Sequence, residues 1–305
     1  MYAAAFETEA MGCSRRLFFM LIVMSWMSAL DRVWAQGVAG GLLVEDVTRV
    51  ELPVMPNDYV VPSCSAEDVV PKVGKHVGEF VQNVNRYTAT EVVRRERLNA
   101  DGKVRDTSKS RANYVASIEE DKKGYFSVRE YRSRSQEEPR GPEWIEANIA
   151  PSLVLIFHPT HSYEFAMTCE GPGDWNGHRA WQIHFAQRAD RPATFAEMMV
   201  NRDSFALQLK GTAWVDCDSF QILHMETGLM QSMPMIRLDE LSQSVDYGPV
   251  VFSNGSQSMW LPWTAKVTAE FKGKRLVARH TYSDFRLFMV DTGEKIGQPA
   301  AAAQN

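Results

Sequence analysis

The hydrophobic period of this chain switches from helical to strand-like after Arg86, and that switch limits the fold more than any other feature. Val69, Val70, Val73, Val77, Phe80, Val81 and Val84 recur at spacings of 1, 3, 4, 3, 1 and 3, which is one face of a helix. Asp68 is the expected N-cap, and it places Pro71 in the first turn, where a missing N–H costs little. Gly74 and Gly78 weaken such a helix in isolation, so its stability must come from packing. Beyond Arg86 the period switches from 3.6 to 2, and hairpins can be counted as far as Tyr282. One amphipathic helix ahead of about ten or eleven alternating strands has few ways to bury its apolar surface. The expected fold class is α+β, mostly antiparallel: a sheet of about 10–11 strands that curls, with the N-terminal helix packed on its concave face.

The alternation also predicts registers. Ile118 should face Phe126 across a turn at 120–124. Cys169, Met167 and Phe165 should face Trp181, Ile183 and Phe185. A two-residue turn at Asn176-Gly177 would set apolar against polar positions there, so a longer loop over Gly171–His178 is expected. Val215 should face Phe220, and Ala213 should face Ile222. Phe271 should face Leu276, and Ala269 should face Ala278, which brings His280 near Val267. Those registers put His224 and His280 on apolar faces and Trp214 on the outer one. A second helix is expected over Glu143–Phe157, with Pro151 as a point of division.

Ahead of the helix, Arg15 and Arg16 precede Leu17–Leu30, a run of 14 uncharged residues, and Val33-Trp34-Ala35 follows. A positive start, an apolar core of this length and a small residue at −1 make a secretory signal peptide cut after Ala35. A membrane anchor needs about 20 apolar residues, and Asp31 and Arg32 end this run too early. Met1 and Met11 both remain candidate starts. The expected organisation is a signal peptide over 1–35, a linker over 36–65, and a single half-barrel domain over 66–290 with an insertion at about 132–160. A disordered tail would cover 291–305. The mature chain would lie in the periplasm or outside the cell, with no transmembrane anchor after cleavage.

Cleavage removes three residues of each charge sign and leaves the net charge at −5. No overall basic surface attracts nucleic acid. Cys64, Cys169 and Cys217 remain, and an oxidising compartment permits one disulfide with one thiol left over. The pairing is open. No Gly-x-Ser-x-Gly elbow, Walker loop, Gly-x-Gly-x-x-Gly or His-Glu-x-x-His occurs. His158-Pro-Thr-His161 is the nearest approach to a metal site, on what reads as a solvated loop, and its spacing supplies only two of the three or four ligands required. No metal and no cofactor are expected, and no enzyme activity.

Lys210-Gly-Thr-Ala-Trp-Val-Asp216, followed by Ser219-Phe-Gln-Ile-Leu-His-Met-Glu226, resembles a hairpin of bacterial outer-membrane lipoprotein-sorting and lipoprotein-carrier (LolA/LolB-like) proteins. Tyr87–Arg97 is similar to their first strand, and the order of export signal, helix and hairpins agrees. The resemblance implies a half-barrel with a lid helix over an apolar hollow for acyl chains, and a lipid, lipoprotein or other apolar ligand as partner. Candidate hollow residues are Val77, Phe80, Val81, Trp181, Ile183, Phe185, His224 and His280. The alternatives are a structural or interaction module with a filled core, binding a protein or glycan at its surface, and an envelope hydrolase with a His-based metal site. The export reading predicts Gln36 as the mature N-terminus. N-terminal sequencing of protein from the periplasm checks it, and retention of Met1 or Met11 on a membrane-embedded chain would refute it.

Overall fold

The period-2 segments form strands that pair into one antiparallel sheet in the computed structural model, which describes residues 48–49, 64–121, 125–133, 150–252 and 257–287. The segments expected to form a signal peptide and a disordered tail, most of the expected linker and of the 132–160 insertion, and the first half of the helix expected over Glu143–Phe157 lie outside the described residues. In chain order the elements are β1 (Thr48–Arg49), α1 (Ala66–Asn83), β2 (Tyr87–Leu98), β3 (Val104–Glu120) and β4 (Phe126–Arg132). A short 3-10 segment, Leu153–Phe157, leads into α2 (Pro159–Ser162), β5 (Phe165–Trp175) and β6 (His178–Gln187). Next come β7 (Glu197–Val200), β8 (Asp203–Ala206), β9 (Leu209–Asp216) and β10 (Ile222–Leu229). The chain closes with β11 (Leu238–Val251), β12 (Ser258–Phe271) and β13 (Lys274–Leu287).

The strand order is β4-β3-β2-β13-β12-β11-β10-β9-β6-β5, with β1 added beside β11, and β7 and β8 form a separate two-stranded ribbon. The sheet stays open, and one face curls around α1 and Leu153–Phe157. Ile118 near one edge and Phe165 at the other belong to the same core as Val73, Val77, Ile183 and Val245. Helix α1 starts earlier than the sequence suggests: Ser65 is the N-cap, and its carbonyl accepts from the N–H groups of Asp68 (3.1 Å) and Val69 (3.0 Å). Pro71 therefore lies inside the helix rather than in its first turn. Gly74 has a packing role, since a Cβ there would come within 2.9 Å of the Phe157 carbonyl oxygen. The absence of that atom lets α1 press onto the 3-10 segment.

Every hairpin register departs from the expected one, and each for a local reason. Tyr125 closes the β3–β4 turn by donating its N–H to Asp121 Oδ1 (3.0 Å), so Ile118 faces Val128. The tight turn at Asn176-Gly177 does form, with φ of 52° and 84°. An irregularity at 170, beside Gly171 at φ 114°, restores apolar pairing below it, so Cys169 faces Ile183 and Met167 faces Phe185. Lys272-Gly273 makes the corresponding two-residue turn, with φ of 52° and 73°. Ala269 then faces Leu276, and His280 faces Ala265. These three shifts leave the buried faces as expected. The fourth does not: Ile222 faces Val215, the register then slips at Leu223, and His224 faces Trp214. That slip turns His224 away from the core.

Cys64 and Cys169 form a disulfide that ties the start of α1 to β5, while Cys217 is a buried free thiol. The bridge closes a chain segment of 105 residues. Replacing both partners, Cys64→Ser with Cys169→Ser, should lower stability by about 2–5 kcal/mol, measured by denaturant unfolding of the oxidised wild type and the variant.

Candidate functional site

Helix α1 does not lie flush with the sheet along its whole length. Val69, Val73 and Val77 are buried, but Val70, Phe80 and Val81 are only half-buried. Leu153, Val154, Leu155, Ile156 and Phe157 fill the concave face beneath the helix, each at most 6% exposed. Trp181, Ile183 and Phe185 do lie on this inner face, packed into the core, and Phe185 meets Phe157 at 6.0 Å between ring centroids. They line packed core and not open space.

Beside Val154, near the start of the 3-10 segment, a cleft of about 240 Å³ remains between α1 and the sheet. Val73, Val77 and Phe80 come from the helix, Val154 from below, and Ile222, Met259 and Trp260 from the strands. Polar groups collect at its rim: His76 Nδ1 lies 3.2 Å from Glu79 Oε2 and 3.3 Å from Gln221 Nε2. Trp260 donates its indole N–H to the Ile222 carbonyl (2.7 Å), and Tyr247 donates its hydroxyl to the Ala150 carbonyl (3.1 Å). The Trp260 and Tyr247 polar groups are thereby paired within the protein, and the cleft lining is more apolar than polar. Of the residues singled out from sequence, Val77 and Phe80 reach this cleft.

A second inner-face feature is polar and was not expected. Arg132 donates Nε–H to Glu91 Oε2 (2.5 Å) and Nη2–H to Glu91 Oε1 (2.9 Å), and Nη2–H also reaches Glu130 Oε2 (3.0 Å). Tyr114 donates its hydroxyl to Glu130 Oε1 (2.7 Å), and His280 Nδ1 lies 2.8 Å from Glu91 Oε1. Burial alone would raise the Glu91 pKa, but the hydrogen bonds from His280 and Arg132 outweigh it and bring it down to about 2. Burial prevails at Glu130, whose pKa rises despite its Arg132 and Tyr114 bonds. Burial also lifts Tyr114 and Tyr282 well above the usual phenol value. Two adjacent carboxylates are thus pushed in opposite directions. The inward parity of Tyr87, Ala89, Glu91 and Val93 carried this signal in the sequence, since it puts one acid among apolar residues of the buried face.

The candidate histidines separate. His280 is in the polar inner network. His224 belongs to the outer face: it stacks on Trp175 (centroids 3.7 Å), meets Trp214 edge-on (5.1 Å), and its Nδ1 lies 2.7 Å from Asp246 Oδ1. Its assignment to the ligand hollow is corrected by the irregularity at Leu223. His158 is the N-cap of α2, its Nδ1 accepting from the Thr160 N–H (3.2 Å), and His161 lies within α2, buried and not solvated. Its Nδ1 lies 2.9 Å from Glu164 Oε1, and Glu164 also accepts from the Thr194 hydroxyl (3.0 Å) and N–H (3.2 Å). Phe126 of β4 packs on both rings, at 4.7 Å and 5.6 Å. This motif therefore bridges the two edge strands, β4 and β5. Among the described residues no group of three or more His, Cys, Asp or Glu side chains is placed to hold a metal ion, and no helix is long and apolar enough to cross a membrane.

Neither a family model nor a curated protein matches the sequence. Among solved structures, a LolA superfamily protein from Nitrosomonas europaea matches 75% of this chain and 96% of its own, at 14% identity and a TM-score of 0.35. A DUF1329 family protein from Desulfovibrio piger matches 76% and 95%, at 10% identity and a TM-score of 0.41. A candidate outer membrane lipoprotein-sorting protein domain from Vibrio parahaemolyticus matches 75% and 94%, at 12% identity and a TM-score of 0.37.

The inner network makes a prediction for acid stability. A carboxylate whose folded pKa is about 2, against 4.5 when unperturbed, stabilises the fold above pH 4.5, and the contribution is lost as the pH falls from there toward 2. Glu91→Gln removes that contribution and leaves Arg132 and His280 without their carboxylate. The expected loss is about 3–5 kcal/mol at pH 7, as for a buried pair broken on one side. Denaturant melts from pH 7 to pH 2 should show the gap between wild type and variant closing as the pH drops.

Proposed function

We propose that this chain is an exported, non-catalytic binding protein of the cell envelope that takes an apolar ligand in the cleft under α1. The observation that carries the reading is the cleft itself: a space of about 240 Å³ between α1 and the sheet, walled by Val73, Val77, Phe80, Ile222 and Met259, with His76, Glu79 and Gln221 at its rim. Drug-sized ligand pockets run from about 300 to 1,000 Å³, so this cleft suits part of one acyl chain or one apolar side chain. Burial of such a chain supplies roughly 0.8 kcal/mol per CH₂, with no dedicated polar chemistry. The resemblance of the Lys210–Glu226 hairpin to lipoprotein carriers suggests lipid or lipoprotein acyl chains as the occupants. The Cys64–Cys169 bridge supports export, because such bonds persist in oxidising compartments.

The filled part of the concave face favours a second reading, an interaction module. Its contact surface would be the outer shelf of Trp175, Trp214 and His224, where Trp175 and Trp214 remain partly accessible.

Two variants separate the readings. Phe185→Ala, in packed core, should cost about 3–5 kcal/mol. Phe80→Ala, at the cleft, should cost well under about 3 kcal/mol and weaken binding of a fluorescent fatty acid. Denaturant melts and probe titrations measure both. A wild-type protein that ignores the probe would sink the carrier reading and leave the module.

A further inference from the structure

The sheet concentrates positive charge on two hairpins that sequence order keeps far apart. Arg94–Arg111, the β2–β3 hairpin, holds seven Lys and Arg against three Asp and Glu. Thr264–Thr281, the β12–β13 hairpin, holds five against one. Twelve cations against four anions give a local net charge of +8 in a chain whose total is −5. The pairing of β2 with β13 places these hairpins side by side.

The register then aligns the cations. Lys109 faces Arg94, Arg94 faces Arg279 and Arg279 faces Lys266, so four adjacent strands present one unbroken row. With strands about 4.8 Å apart the row spans roughly 14 Å. It lies on the outer face, opposite α1, because the neighbouring row of Ser110, Val93, His280 and Ala265 faces the core. All four side chains are exposed. The row is also braced. Glu96, 9% exposed, accepts from Arg94 Nη2 (2.9 Å) with one oxygen and from Arg279 Nη1 (2.5 Å) with the other. One buried carboxylate thus holds two guanidinium groups in place and leaves their remaining donors outward. At the adjoining hairpin tip Val104 is 52% exposed between Lys103 and Arg105.

We infer that this face docks the protein on an anionic phospholipid surface. Among the described residues of these two hairpins Val104 is the only exposed large apolar side chain, so the row lacks the apolar centre of a protein–protein interface. It suits mobile, laterally distributed phosphates, to which each Lys or Arg near the surface adds attraction. The inference does not depend on the occupant of the cleft, which lies on the other face.

Co-sedimentation of the full chain with vesicles tests it. Vesicles of phosphatidylcholine alone set the baseline, including any binding through the apolar Leu17–Leu30 run. Vesicles with added phosphatidylglycerol should bind more protein at low salt, and the excess should vanish at high salt. Lys109→Gln with Lys266→Gln, both exposed and away from the Glu96 bonds, should weaken the excess about 25-fold, at roughly fivefold per charge. Lys75→Gln with Lys210→Gln removes the same charge elsewhere and should leave most of it. Equal binding to both vesicle types, or equal loss from the two variant pairs, would overturn the inference. So would an excess abolished by inorganic phosphate at matched ionic strength, which would mark a site for free anions instead.

Discussion

A sheet that curls has an inner face that must be covered, and here the cover is thin. Helix α1 spans only part of it, and its buried stripe is essentially Val69, Val73 and Val77. Leu153–Phe157 fills most of what the helix leaves open, pressed up against Gly74. Where Leu153–Phe157 lies, the concave face is packed as densely as any core. The cleft lies beside it, between α1 and Ile222, Met259 and Trp260 of the sheet. The disulfide at the start of α1 holds the lid in place from the other end.

The remaining part of the concave face solves the same problem with charge. Glu91, Glu130, Arg132 and His280 are drawn from β2, β4 and β13, and the tyrosine hydroxyl of β3 completes the set. Desolvating an ionised pair such as Glu91 and Arg132 is costly, and an apolar patch of the same volume would be at least as stable. What the network supplies is specificity. A carboxylate that needs both Arg132 and His280 is satisfied in only one alignment of β4, β2 and β13, so it penalises slipped pairings of strands that otherwise alternate regularly.

Fold class and strand number were legible from periodicity alone, because burial of one face is written into every second residue. Face assignment was legible for the same reason in three hairpins of four. Absolute register was not. It depends on turn chemistry and on single-residue irregularities, and both are decided by backbone conformation at Asn176, Gly177, Leu223 and Lys272. His224 shows the effect on function: one slip at Leu223 carries it from the expected hollow to the outer shelf beside Trp175. The cleft was half legible, since Val77 and Phe80 belong to the helix stripe while Met259 and Trp260 come from a strand start with no distinctive pattern. Glu91 was visible as an acid at an inward position. Its partners were not, because Arg132 lies 41 residues away and His280 lies 189 away.

That last separation has a kinetic meaning. The strand order runs from β5 through to β13 and only then to β2, β3 and β4, so the first three long strands of the chain attach beside the last. A ribosome that has completed β4 has made a meander with no neighbour for β2. That edge must stay unpaired while the roughly 140 residues between the end of β4 and the start of β13 are synthesised. Such a topology has high contact order and folds late and slowly. An unpaired strand edge held open through synthesis invites association with other chains. The charges that crowd β2 and β3 have a use before the native state exists, since like-charged edges do not readily pair with copies of themselves.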